Sequence, residues 1–484
     1  MAKHFDVLIR GADVIDGTGA ARFTADVAVI GDRIIEIGDL TDSSAEIEID
    51  ATGHVVAPGF IDAHTHDDRL LLSGGDMSPK ISQGITTIIG GNCGISLAPM
   101  PGGHLAEVPA PLNLLDGTGE WFKFKSFASY MKALAAAPAA TNCAMLVGHS
   151  TLRVATMADL SRPANFEETT AMRDLVVEAM EAGAIGISTG LAYPPAFNSS
   201  TQEVIDICEP LSKYNGLYCT HLRDEGNAII ESLEEAFRIG REINVPVVLS
   251  HHKVTGLQNY GRSEETLDVI KKNMENQPIC LDCYPYAAAS TVLVHRIAST
   301  SSKVTVTWSK GLPEYAGMDL DEIMKKLDVG MEEAIERLLP AGAIYYRMDE
   351  ADVQKILEFE DTMIGSDGLP HDQIPHPRLW GCFTRVLGHY GRGLGLFPLE
   401  KAIHKMTGLT ARNFGLADRG VVKAGAFADL TIFDETTVDA RATFADPIAP
   451  SFGIAQVLVN GDIVWANGES TGTRPGRVLS RAAA

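Results

Sequence analysis

Eight short apolar runs recur through the middle of the chain. They are "GFIDAH" (59–64), "TTIIGG" (86–91), "AMLVGH" (144–149), "AIGIST" (184–189), "LYCTH" (217–221), "PVVLSH" (246–251), "ICLDCYP" (279–285) and "TMIGSD" (362–367). Most are continuous rather than alternating, which is the pattern of strands buried on both faces of a parallel sheet. Helical patterns lie between them, at 165–183, 229–243 and 263–276. The first opens on Asn165 with Glu168 three residues on, a capping-box spacing, and ends at Gly183. Eight strand–helix units predict a distorted (β/α)₈ TIM barrel. The long interval between runs seven and eight predicts an insertion at about 286–350 that covers the barrel mouth.

Both ends of the chain read differently. Residues 5–57 and the stretch from about 420 carry short alternating segments with Gly-Asp and Asn-Gly turns, among them "IGDRIIEI" and "VNGDIVW". The expected organisation is a small β-sandwich domain from residues 1–58 and 418–484, and a catalytic barrel over 59–417. The alternative is two unrelated β ends. A chain of 484 residues with 45% hydrophobic content is long enough for both units.

A net charge of −23 disfavours nucleic acid and anionic membrane surfaces as partners, because phosphate binding needs a basic patch. The N-terminus lacks a signal-peptide apolar core, and no run approaches the roughly 20 residues of a membrane span. Seven scattered cysteines argue against a disulfide framework and for a reducing, cytoplasmic setting.

The run ends hold the chemistry. They deliver His64 and His66, Asn92-Cys93, His149, His221, His251-His252 and Asp367. In a barrel these ends meet at the C-terminal face, where such folds place their active sites. A single buried histidine usually satisfies a core hydrogen bond. Imidazole, thiolate and carboxylate from several separate strands form a zinc-ligand set.

The stretches "PGFIDAHTHDD", "GNCGIS", "GLAYPP", "THLRDEG", "SHHKV", "YPYAAAST" and "IGSDGLPHD…HPRLWG" together resemble the N-acyl-D-amino-acid deacylases of the amidohydrolase superfamily. The resemblance runs from the first strands to "PGRVL" at 475–479. It implies a zinc enzyme that hydrolyses small-molecule N-acyl-D-amino acids, as a monomer or small homo-oligomer. It implies that Cys93, His221 and His251 hold one zinc tightly. His64 and His66 then serve a second, more exposed and weaker position bridged by Cys93, and Asp367 lies beside the metal. Many amidohydrolases bridge two metals with a carboxylated lysine, but "AIGISTG" offers none.

Zinc lowers the pKa of a bound water to about 7, which suits amide hydrolysis. Asp367 can take the proton of that water and pass it to the leaving amine. Tyr193 is a candidate oxyanion donor, or else an aromatic packing residue beside Pro194-Pro195. Lys253, Tyr284, Ser290 and Arg378 match positions that the family uses for the substrate carboxylate, with surface salt bridges as the alternative for the two cations. Tyr345 and Met348 match places that line an apolar side-chain pocket. Arg296 and Arg347 add charge there, which would favour D-glutamate or D-aspartate. Lid arginines are usually solvated, so an apolar or broad pocket is expected.

Two rivals remain open: a cyclic amidase such as a hydantoinase or dihydroorotase, disfavoured by the missing lysine, and a binding protein that has lost catalysis. Cys280 and Cys283 fall in one predicted strand and would face opposite ways, which argues against a redox pair. "GHYGRGLGLF" (388–397) is read as a loop. His371, His376 and His389 are read as structural or supporting groups.

Overall fold

The computed structural model describes residues 3–482. Eight parallel strands form one sheet: β1 (Phe60–Asp62), β2 (Ile85–Gly90), β3 (Asn142–Gly148), β4 (Gly186–Gly190), β5 (Leu217–His221), β6 (Val247–Leu249), β7 (Ile279–Cys283) and β8 (Thr362–Ile364). Each corresponds to one predicted run. The ring closes where the Ala63 N–H donates to the Ile364 carbonyl at 3.1 Å and Thr65 bridges to Gly368. Every residue of the eight strands is buried. That is why the runs are continuous: helices cover one face and the barrel interior fills the other.

Ile61, Ile89, Leu146, Ile185, Cys219, Val248, Cys280 and Met363 meet in one buried cluster. Leu409 and Phe414, from the helix Gly408–Phe414, join the same cluster. At roughly 1.5–3 kcal/mol for each large side chain buried, this interior fixes the strand ring on which the site is mounted. Cys280 belongs to this cluster and Cys283 to the surrounding one, so the two thiols face opposite ways as expected. The helix Phe166–Glu181 begins with the predicted capping box, Asn165 accepting from the Glu168 N–H and Glu168 from the Asn165 N–H.

The chain ends build one nine-stranded sheet, separate from the barrel. The N-terminal strand Val55–Pro58 pairs antiparallel with the C-terminal strand Leu430–Phe433, placing Val56 opposite Ile432. The long strand His4–Val14 carries a bulge between Ile9 and Ala12 and pairs with three others. Its Ile9 and Val14 pack with Val56, Leu430 and Leu458, so both ends of the chain share one core. The hairpin turn Asn460-Gly461 has φ of +48° and +88°, which this residue pair tolerates.

Between β7 and β8 stands a three-stranded antiparallel sheet, Ala288–Val292, Lys303–Ser309 and Ala341–Tyr346. It has its own apolar cluster with the helices Leu320–Leu327 and Met331–Leu338. One expectation holds only in part nearby. Only the end of the glycine-rich stretch, 394–397, is a loop: Arg378–Arg385 runs on into a wide helical segment, Val386–Gly393, that takes up the first six residues. A β-carbon at Gly388 would lie 2.4 Å from Cγ of Asp439, so close packing explains a glycine in this helical segment.

Candidate active site

The residues that follow five barrel strands converge at the C-terminal face. The Cys93 Sγ lies 3.3 Å from Nε2 of His64, 3.2 Å from Nε2 of His251 and 3.6 Å from Nδ1 of His221. Asp367 adds a carboxylate oxygen 3.2 Å from Nε2 of His66 and 3.7 Å from Nε2 of His64. Two ligand groups result, His64/His66/Cys93/Asp367 and Cys93/His221/His251. A tetrahedral zinc with its usual bond lengths separates sulfur from nitrogen by about 3.6 Å. The observed spacings and donor types therefore fit a zinc ion.

The backbone supports that reading. Cys93, His251 and Asp367 have φ of +52°, +37° and +48°. Non-glycine residues in this region cost about 1–3 kcal/mol each and persist where the surroundings enforce them. Burial alone would push the Cys93 thiol up, but His251 and His64 pull it well below its ordinary value, toward a thiolate. Burial depresses His66, but Asp367 and Cys93 outweigh it and raise the imidazole to about 9. The Asp367 carboxyl is held far below the usual carboxylate range: Arg378 and His251 overcome the cost of burying it.

A second layer of acids and one lysine holds these groups in place. Asp282 accepts from the His251 N–H at 3.0 Å, and its other oxygen lies 3.6 Å from Nδ1 of His64. Glu225 stands 3.3 Å from Nδ1 of His251, 3.8 Å from Nε2 of His221 and 2.6 Å from the Lys253 ammonium. Lys80 is wholly buried and donates to Asp62, Thr65 and Ser366, with Asp67 at 3.2 Å. Carboxylates on the outer nitrogens of metal-binding histidines fix ring orientation and raise basicity. Sequence reasoning missed Glu225, Asp282 and Lys80. Glu225 lies inside "THLRDEG", four residues after His221, but nothing local marks its partners.

Several predicted residues take other places. His64 and His66 are 0% and 3% exposed, and His221 and His251 8% and 1%, so both positions are buried. Arg378 is buried against Asp367 and the Ser290 carbonyl. Met348, just past the strand Ala341–Tyr346, borders a separate small cleft with Val353 and Ile356 and is not on the main cavity wall. Tyr345 borders the main cavity, but its hydroxyl donates to the Val292 carbonyl. His149 opens the helix His149–Thr156 and faces Glu203 at 3.4 Å, and His252 faces Thr266. Asn92 donates to the Ile89 carbonyl. His376 pairs with the Ala288 carbonyl and the Arg378 N–H, a supporting role as expected.

A cavity of about 910 Å³ opens above the cluster. Tyr193, His221, His251, Lys253, Tyr284 and Asp367 border it. The Tyr193 ring lies 4.9 Å from that of His221, and its hydroxyl meets Thr291 Oγ1 at 3.0 Å. Ser290 also borders the cavity, and its buried hydroxyl has no partner; nor has that of Tyr284. From the segment between β7 and β8 come Arg296, exposed, and Arg347, half-buried.

The family model described as "Amidohydrolase family" matches residues 48–329 and 323–465. A D-aminoacylase from Alcaligenes xylosoxydans xylosoxydans is 56% identical over 483 residues, covering 100% of this chain and 99% of that protein. A solved D-aminoacylase, whose binuclear centre is described by one-metal activation and second-metal attenuation, superposes with a TM-score of 0.96 at 55% identity, over 99% of this chain and 100% of that one. The N-acyl-D-glutamate deacylase from Bordetella bronchiseptica, complexed with zinc and a phosphonate mimic of the tetrahedral intermediate, superposes at 0.94 and 44% identity, over 99% and 100%.

Proposed function

The chain belongs to the amidohydrolase family, and on that premise we propose that it hydrolyses N-acyl-D-amino acids to a carboxylate and a free D-amino acid. The observation that carries the reading is the buried Cys93 thiol ringed by three imidazoles, with Asp367 alongside. Cys93, His221 and His251 would hold a zinc ion, which when bound would supply an acidified water and polarise the amide carbonyl. His64, His66 and Asp367, with Cys93 common to both groups, would hold a second and weaker ion.

The chain's own residues do the rest. Asp367 accepts the proton of the attacking water and returns it to the amine nitrogen as the C–N bond breaks. The Tyr193 hydroxyl, on leaving Thr291, donates to the developing oxyanion. Lys253 and the free hydroxyls of Tyr284 and Ser290 receive the α-carboxylate. Glu225 and Asp282 keep the imidazoles aimed inward.

One observation favours a second reading within this activity. Arg347 borders the cavity, its Nε has no hydrogen-bond partner, and burial lowers its pKa. A half-buried guanidinium without a partner suits an acidic side chain, as in N-acyl-D-glutamate or N-acyl-D-aspartate, better than the apolar one expected from sequence. Kinetics of the zinc-loaded protein on N-acetyl-D-methionine, N-acetyl-D-glutamate, their L forms and a hydantoin test both readings. Turnover of the D forms alone is expected, with the glutamate substrate faster under the second reading. Turnover of only the hydantoin or only the L forms would refute the assignment.

A further inference from the structure

The cavity wall divides by chemistry. Going round the barrel, the segments after β2, β3 and β4 bring Pro109, Ala110, Leu160, Pro194 and Phe197 to the cavity and no charged side chain. The segments after β5, β6 and β7 bring Arg223, Lys253, Arg296 and Arg347 together with Asp224 and Glu225, a charged arc with cations in excess. The two halves are contiguous arcs because the strand order is sequential. Phe197 is 50% exposed and Pro194 is exposed, so an apolar rim faces solvent beside the catalytic cluster. A volume of about 910 Å³ lies at the upper end of the roughly 300–1,000 Å³ typical of small-molecule pockets. An N-acetyl amino acid leaves much of it unfilled.

We propose that the β2–β4 arc is an acyl subsite, and that the preferred substrates carry medium-length aliphatic acyl groups rather than acetyl. The inference rests on the deacylase reading. The amino-acid half of the substrate is anionic and lies on the arc that holds Lys253, Arg296 and Arg347. Its amide carbonyl sits over Cys93, His221 and His251. The acyl carbons then leave the carbonyl on the opposite side, past Tyr193 and against Leu160 and Phe197. A fully buried methylene contributes roughly four-fold in binding, and a rim left half wet about two-fold.

The test is kcat/KM for N-acetyl-, N-butyryl- and N-hexanoyl-D-methionine, with D-glutamate counterparts, on the zinc-loaded full chain. The hexanoyl substrate should exceed the acetyl one by about ten-fold. Phe197→Asp and Leu160→Asp should each bring that ratio toward one. Acetyl faster than hexanoyl, or an unchanged ratio in both variants, overturns the acyl subsite while acetyl turnover leaves the deacylase reading standing. No turnover of any D substrate overturns both.

Discussion

The Arg378 guanidinium sits 2.9 Å from the Asp367 carboxylate, and both side chains are buried at the head of the barrel. The family resemblance assigns Arg378 to the substrate carboxylate, but this contact ties it to Asp367, the residue proposed to carry the proton. Arg378→Ala should therefore lower kcat at least ten-fold, because Asp367 loses its buried counter-charge and its orientation. Steady-state kinetics decide the matter. A raised KM with unchanged kcat would return Arg378 to ground-state carboxylate binding.

Glu225 touches His251, His221 and Lys253 at once. Burial opposes its charge, but Lys253 and His221 hold its carboxyl far below the usual range, so it is a permanent anion. Glu225→Gln should weaken zinc affinity by about 10–100-fold. Competition with a chelator measures it directly. Unchanged affinity would reduce Glu225 to a partner of Lys253 alone.

The two metal positions should separate by mutation. Cys93→Ala should abolish tight zinc binding, because Cys93 is common to both groups. His66→Ala should leave one zinc per chain, since His66 belongs to only one of them. Elemental analysis after dialysis reads both. Two zinc ions retained in Cys93→Ala would remove the thiol from the ligand set.

Acid stability has a named contributor in Glu203. Burial raises its pKa, but His149, the Ala164 N–H and Arg153 outweigh that and bring it from 4.5 to about 2. A depressed carboxylate stabilises the fold above its unfolded pKa and loses that contribution as pH falls through the folded value. Glu203→Gln should cost roughly 3 kcal/mol near neutrality, and the gap to the parent should close between pH 4.5 and 2. Denaturant melts across that range check it; a pH-independent gap contradicts the assignment.

Much of the fold is legible because two-faced burial leaves continuous apolar runs, and all eight barrel strands follow from it. Turn chemistry at Asn460-Gly461 and the Asn165–Glu168 cap are equally local signals. What escapes is long-range pairing. Lys80 serves Asp62 and Ser366, Glu225 serves His251 and Lys253, and no periodicity links such positions. The helical segment at 386–393 escapes because Gly388 answers to Asp439 rather than to helix propensity. Met348 misleads in a similar way, since an apolar residue beside a pocket motif gives no sign of which cleft it fills.

The most direct test of the central claim is turnover of N-acetyl-D- and N-acetyl-L-methionine while zinc is returned stepwise to the metal-free protein. Activity should be confined to the D substrate, rise with the first equivalent of zinc and be absent from Cys93→Ala at every equivalent. Zinc-independent turnover, or equal rates on both enantiomers, would contradict it.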